Sequence, residues 1–165
     1  IGTTMAHMCH LYPTARVVGV EMRPESANMC RLNTAAWNDR CRVVRAAVWP
    51  HDGIVEFSTT PGKEWADHVS GRGHPVRAIS LNSLLESEPV DFLKMDIEGA
   101  ELRVLRENTE WAARVRCIKV EIHGDEDTPE QCLRQLRVLG FEATVSLEDG
   151  LARVRAGRNG RLRAS

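Results

Sequence analysis

With 165 residues, 42% apolar side chains and a formal net charge of −1, the chain can close one hydrophobic core and shows no strong charge bias. That balance excludes a basic nucleic-acid-binding domain and an acidic disordered chain, and leaves a small molecule as the expected partner. The five cysteines (Cys9, Cys30, Cys41, Cys117, Cys132) include no C-x-x-C pair, so they indicate neither a disulfide framework nor a zinc site and fit a reducing cytoplasm. No apolar run approaches the roughly 20 residues of a membrane span, and no basic-then-apolar leader opens the chain, so a soluble cytoplasmic protein is expected.

In chain order, residues 3–12 read as a short helix stopped by Pro13, and Arg16-Val17-Val18-Gly19-Val20-Glu21 as a buried strand ending in a carboxylate. Pro24 suits the first turn of a second helix, with Ala27, Cys30, Thr34 and Trp37 along one face, and a strand follows at 42–48. Asp52-Gly53 marks a turn before the alternating run Ile54-Val55-Glu56-Phe57. Residues 59–75, rich in Gly and Pro and without periodicity, form a long loop that is a candidate lid; Trp65, His68 and His74 in it read as packing and surface. Then come a strand at 76–81, a short helix at 82–88, a strand at 90–97, a helix at 100–114 and a strand at 115–122. Asp127-Thr128-Pro129 opens a last helix that Gly140 ends, and residues 141–147 and 151–154 form a closing antiparallel pair around Asp149-Gly150.

Strands alternating with helices predict an α/β fold: a mostly parallel sheet with helices on both faces, an antiparallel C-terminal hairpin, and any ligand at the carboxyl ends of the strands. One domain is expected over residues 1–156, followed by a frayed basic tail at 157–165.

Two patterns carry chemistry. Glu21 ends its strand 19 positions after Gly2, near the spacing at which nucleotide-binding α/β folds place a carboxylate against both ribose hydroxyls. Gly2 and Thr3 at a helix start would offer backbone N–H groups to an anion. The second pattern is an echo between Leu93-Lys94-Met95-Asp96-Ile97-Glu98-Gly99 and Ile118-Lys119-Val120-Glu121-Ile122-His123-Gly124. Side chains alternate along a strand, so Lys94, Asp96 and Glu98 share one side of theirs, as do Lys119, Glu121 and His123 of the other. If the two strands are neighbours, six ionisable groups converge at the carboxyl edge, where burial demands pairing, a ligand or a cation. Glu101, in the first turn of its helix, reads as a complement to the macrodipole.

The run Asp91-Phe92-Leu93-Lys94-Met95-Asp96-Ile97-Glu98-Gly99-Ala100-Glu101 closely resembles the signature of the FkbM-type methyltransferases, class I enzymes that use S-adenosylmethionine. Val18-Gly19-Val20-Glu21 with Pro24 and Asn33 is similar to the family's ribose-binding strand and helix, and Arg45-Ala46-Ala47-Val48 to the stretch whose backbone lines the adenine pocket. Ser80-Leu81-Asn82-Ser83-Leu84 and Val120-Glu121-Ile122-His123 resemble the segments that flank the signature, so the likeness covers most of residues 1–124 and weakens beyond.

The resemblance implies a Rossmann-like fold with S-adenosylmethionine held by Gly2, Thr3, Glu21, Ala46, Ala47 and Asp96. The expected reaction is O-methylation of a sugar or polyketide-like hydroxyl. His123 is the expected base, with Asp96 and Glu121 orienting it or holding a hard cation such as Mg²⁺. The competing readings are a nicotinamide-dependent oxidoreductase, which Glu21 would equally serve, and a non-catalytic remnant.

Ile1-Gly2-Thr3-Thr4 resembles the end of the family's first motif, which implies that a strand precedes it, between the strands ending in Glu21 and Asp96. Each unmet buried backbone group there would cost about 1–3 kcal/mol. The 165-residue chain by itself is therefore expected to bind S-adenosylmethionine weakly, and tight binding in calorimetry would contradict the expectation.

Overall fold

A computed structural model describes residues 2–58, 68–69, 73–148 and 151–158. Parallel β1 (Val17–Glu21) and β2 (Cys41–Arg45) form a two-stranded sheet linked by α2 (Pro24–Asn33), with α1 (Thr3–Leu11) leading in. The Met5 side chain of α1 lies over Gly19 of β1 in the space that a side chain there would occupy. Pro24 opens α2 at the position where its fixed φ and missing N–H cause no loss.

A second sheet has the order β3-β6-β4-β5, from β3 (Ala47–Val48), β4 (Gly53–Ser58), β5 (His68–Val69) and β6 (His74–Ile79). The strand expected over 42–48 is thus divided between two sheets, with the break at Ala46, whose N–H donates to the Glu21 carbonyl at 3.2 Å. Of the expected long loop, His68 and Val69 pair with β4 and His74 starts β6, while Trp65 lies outside the described residues.

The third sheet, ordered β7-β8-β10-β9, holds the main core: β7 (Val90–Met95), β8 (Val115–Ile122), β9 (Glu142–Glu148) and β10 (Leu151–Gly157). The arrangement is mixed rather than mostly parallel. Pairings β1–β2, β3–β6 and β7–β8 are parallel, whereas β4–β5, β4–β6, β8–β10 and β9–β10 are antiparallel. Connection length explains part of the division. A parallel neighbour needs a crossover, which α2 and α4 (Glu101–Arg106) provide, while the two residues between β9 and β10 permit only reversal. Among the described residues, β1 and β7 each pair with a strand on one side only.

β8 shows why the core sits where it does. Ile118, Val120 and Ile122 point into it, against Leu105 of α4, Trp111 and Leu136 of α5 (Thr128–Val138), and Lys119, Glu121 and His123 face the other way. The single helix expected over 100–114 is interrupted after Arg106 and resumes as a 3-10 turn at Glu110–Arg114. Asn108 makes the break with φ 52, a conformation that Asn tolerates better than most residues, and its amide donates to the Pro50 carbonyl at 2.7 Å. α3 (Leu81–Leu85) is capped by Ser80, whose hydroxyl accepts from Ser83 N–H at 3.2 Å.

Gly157 and Arg158, expected in the tail, are held by the fold. Gly157 pairs with Cys117, and the guanidinium of Arg158 donates to the carbonyls of Ala112, Val115 and Leu139 while stacking over Phe141 at 4.6 Å. Three carbonyls at a helix end and a strand start are thereby satisfied by one side chain. Residues 159–165 lie outside the described residues. No helix of the described residues is long and apolar enough to cross a membrane.

Leu136 is fully buried in this core. Leu136→Ala is expected to lower unfolding free energy by about 2–5 kcal/mol, measured by urea denaturation, because the packed neighbours can only partly collapse into the space.

Candidate active site

Neighbouring parallel strands β7 and β8 deliver their terminal polar side chains to the same edge of the sheet. Lys94 lies beside Lys119 and Met95 beside Val120, so the residues that follow, Asp96 and Glu98 on one segment and Glu121 and His123 on the other, emerge together at the carboxyl ends. His123 is the centre of the group. Its Nδ1 lies 3.1 Å from Glu101 Oε1, and its Nε2 lies 3.6 Å from Glu98 Oε2 and 4.0 Å from Asp96 Oδ1. Asp96 also accepts from the Lys94 ammonium at 2.8 Å.

Glu101 is the residue that sequence reasoning undervalued. It is fully buried, not a surface complement to the helix dipole. Its carboxylate accepts the N–H groups of Ile97 at 3.0 Å and Gly99 at 3.0 Å, and it faces the His123 ring. The loop between β7 and α4 turns sharply to allow this, with φ 52 at Glu98 and φ 97 at Gly99. Gly adopts that conformation readily; a non-glycine residue such as Glu98 is held there at a cost of roughly 1 kcal/mol or more. An acid two residues after a Gly at a strand-to-helix turn was the available signal, since such an acid is placed to cap the turn's N–H groups.

Glu121 departs from expectation. It shares a face with His123, as alternation requires, but its carboxylate accepts from Arg153 Nε at 3.2 Å. Antiparallel register sets Arg153 directly opposite Glu121, so a half-buried ion pair forms there rather than an Asp96–Glu121 pair. Among the described residues, the atoms near enough to share a cation belong to Asp96, Glu98 and His123, all within 4.8 Å of one another.

The environment alters three protonation equilibria. Burial disfavours the charged His123 ring, but the hydrogen bond and charge of Glu101, with Glu98 and Asp96, outweigh it and raise the pKa above the usual imidazole value. The Glu98 carboxyl is also raised, chiefly by burial and then by the charges of Asp96, Glu101 and Glu121, against the pull of His123. Cys132 of α5, pushed up to about 12 by burial and by Glu101, stays a neutral thiol at the back of the site.

A second group of predicted residues gathers where β1 ends. Glu21 Oε1 accepts the Arg23 N–H at 3.0 Å, and no hydrogen bond to Oε2 is present among the described residues. Gly2, with φ 75, packs so closely on α2 that a Cβ would sit 2.9 Å from Cys30 Cα. Burial raises the Cys30 thiol, and the Glu21 charge adds to it, which places Gly2, Cys30 and Glu21 in one neighbourhood. Thr3 supplies the first residue of α1. Ala46 and Ala47 are buried, and with the Ala46 N–H donated to Glu21 they offer walls and remaining backbone atoms rather than that donor.

The sequence profile of the methyltransferase FkbM domain matches residues 1–143. The chain belongs to this family. The hexuronic acid methyltransferase AglP of Haloferax volcanii is 30% identical over 132 residues, which are 77% of this chain and 54% of AglP. The chain thus spans about half the length of that relative. Family membership favours methyl transfer over the nicotinamide-dependent alternative that Glu21 alone left open.

In an NMR titration the His123 ring is expected to lose its proton at a pH above that of an ordinary exposed histidine. Glu98→Gln should move the midpoint down, because a neighbouring negative charge that favours the imidazolium is removed; an upward movement would contradict the charge assignment.

Proposed function

We propose that the chain carries the core of an S-adenosylmethionine-dependent methyltransferase that methylates a hydroxyl of an acidic sugar or a similar small molecule. The observation that carries this reading is His123, held at the carboxyl edge of β7 and β8 with Nδ1 against Glu101 and Nε2 beyond hydrogen-bond range of Asp96 and Glu98. Family membership supports methyl transfer, and the name of AglP, a hexuronic acid methyltransferase, supports a sugar acid as the acceptor class.

The residues present fit the cofactor. Glu21 keeps an oxygen for a ribose hydroxyl, and the first amides of α1 after Gly2 and Thr3 suit the carboxylate of a methionine moiety. Ala46 and Ala47 would wall the adenine, and Asp96 would face the methionine end. The cofactor supplies an already activated methyl group, so the protein's contribution is alignment and removal of the hydroxyl proton. His123 Nε2 takes that proton. Glu101 accepts the Nδ1–H, and Glu98 and Asp96 stabilise the imidazolium that results.

A second reading follows from the close approach of Asp96, Glu98 and His123, whose atoms would suit a hard divalent cation such as Mg²⁺. Chelation separates the two, because only a cation-dependent enzyme loses turnover in EDTA and regains it with Mg²⁺.

The decisive measurement uses a chain extended upstream to include the expected preceding strand, with methyl-labelled S-adenosylmethionine and a panel of uronic acid glycosides. His123→Ala should lower kcat by roughly 10²- to 10⁴-fold and change cofactor Kd by less than about threefold. Equal loss of both would make His123 structural. Absence of labelling and of cofactor binding would identify a non-catalytic remnant.

A further inference from the structure

We infer that Glu101 is the positioning residue of the site, fixing the neutral His123 ring as the Nδ1–H tautomer so that the Nε2 lone pair faces Asp96 and Glu98. This deepens the reading of His123 as the group that meets the acceptor hydroxyl, and rests on it for its role in turnover.

The argument begins with burial. A carboxylate with no solvent exposure must have its oxygens satisfied by donors, and Glu101 receives two from the backbone, at Ile97 and Gly99. Both come from the turn that carries Glu98, so the carboxylate holds that turn in shape. Among the described residues, the remaining partner within reach is His123 Nδ1 at 3.1 Å. An ionised carboxylate has no proton to give, so this contact is a hydrogen bond only when Nδ1 carries the hydrogen. In the neutral ring Nε2 is then bare.

Geometry makes the consequence specific. Nε2 looks toward Glu98 and Asp96 at 3.6 and 4.0 Å, on the side where β7 and β8 end. Glu101 stands behind the ring and within the core, with the buried Val104 and Leu105 on its own helix, and Cys132 close enough to feel its charge. One side chain therefore couples the conformation of the acidic turn to the orientation of the imidazole. Carboxylate-backed histidines of this kind present a defined nitrogen to a proton or a cation, and losing the backing group lowers activity by about 10- to 100-fold.

The test starts from the wild-type 165-residue chain labelled with ¹⁵N-histidine. Above the His123 midpoint, the ring is expected to show protonated Nδ1 and bare Nε2; a predominant Nε2–H tautomer would overturn the proposal without any substitution. Glu101→Gln, which keeps the side-chain shape and removes the charge, should mix the two tautomers. In the upstream-extended chain it should lower kcat by about 10- to 100-fold with cofactor Kd changed by less than about threefold. An unchanged tautomer, or a kcat loss matched by lost cofactor affinity, would overturn it. Failure of this assignment is distinguishable from failure of the functional reading, because a methyltransferase without it still labels its acceptor and still depends on His123.

Discussion

A carboxylate taken wholly out of water is tolerated only where the protein supplies the hydrogen bonds that water supplied before. At Glu101 that demand is met by the turn at Ile97–Gly99 and by the ring of His123, so one local requirement organises three chain segments. β7 ends where the turn begins, α4 starts where it finishes, and β8 contributes the histidine. The positive φ at Glu98 is part of the same bargain, a strained residue held because the carboxylate behind it over-determines the turn.

Around that point the sheet is divided by function. One face of β8 is committed to the apolar core with Ile118, Val120 and Ile122, and the other is given to Lys119, Glu121 and His123. The antiparallel neighbour β10 then decides which of those polar groups stays available. Arg153 lies opposite Glu121 and neutralises it, while His123, beyond the end of the strand, remains free to face β7. Arg158 anchors the far end of β10 through three carbonyls, which holds that register in place.

Much of this was legible in the residues. Strands β7 and β8 are expected from two runs separated by a helical stretch, and β8 occupies the span its pattern indicates; their adjacency, only a condition in the sequence, is met by the parallel register. Alternation placed Lys119, Glu121 and His123 on one face, and Pro24, Pro129 and Gly140 mark helix boundaries through their own backbone chemistry, the fixed φ and missing N–H of proline and the positive φ open to glycine. The helix break at Asn108 was less accessible, because it depends on contacts with Pro50 and Asn82, which are distant in the chain. The mixed sheet escaped the local pattern for a similar reason: alternation gives a strand's faces but not the direction of its neighbour.

Local chemistry, then, determined by itself most of the strand and helix positions, which faces are polar, and that Asp96 with Glu98 and Glu121 with His123 each share a side of their strand, since periodicity and backbone geometry act over a few residues. Only the tertiary structure decided partnership among those charges. It gave Glu121 to Arg153, buried Glu101 and turned it toward His123, because register and burial are set by residues brought together from across the chain.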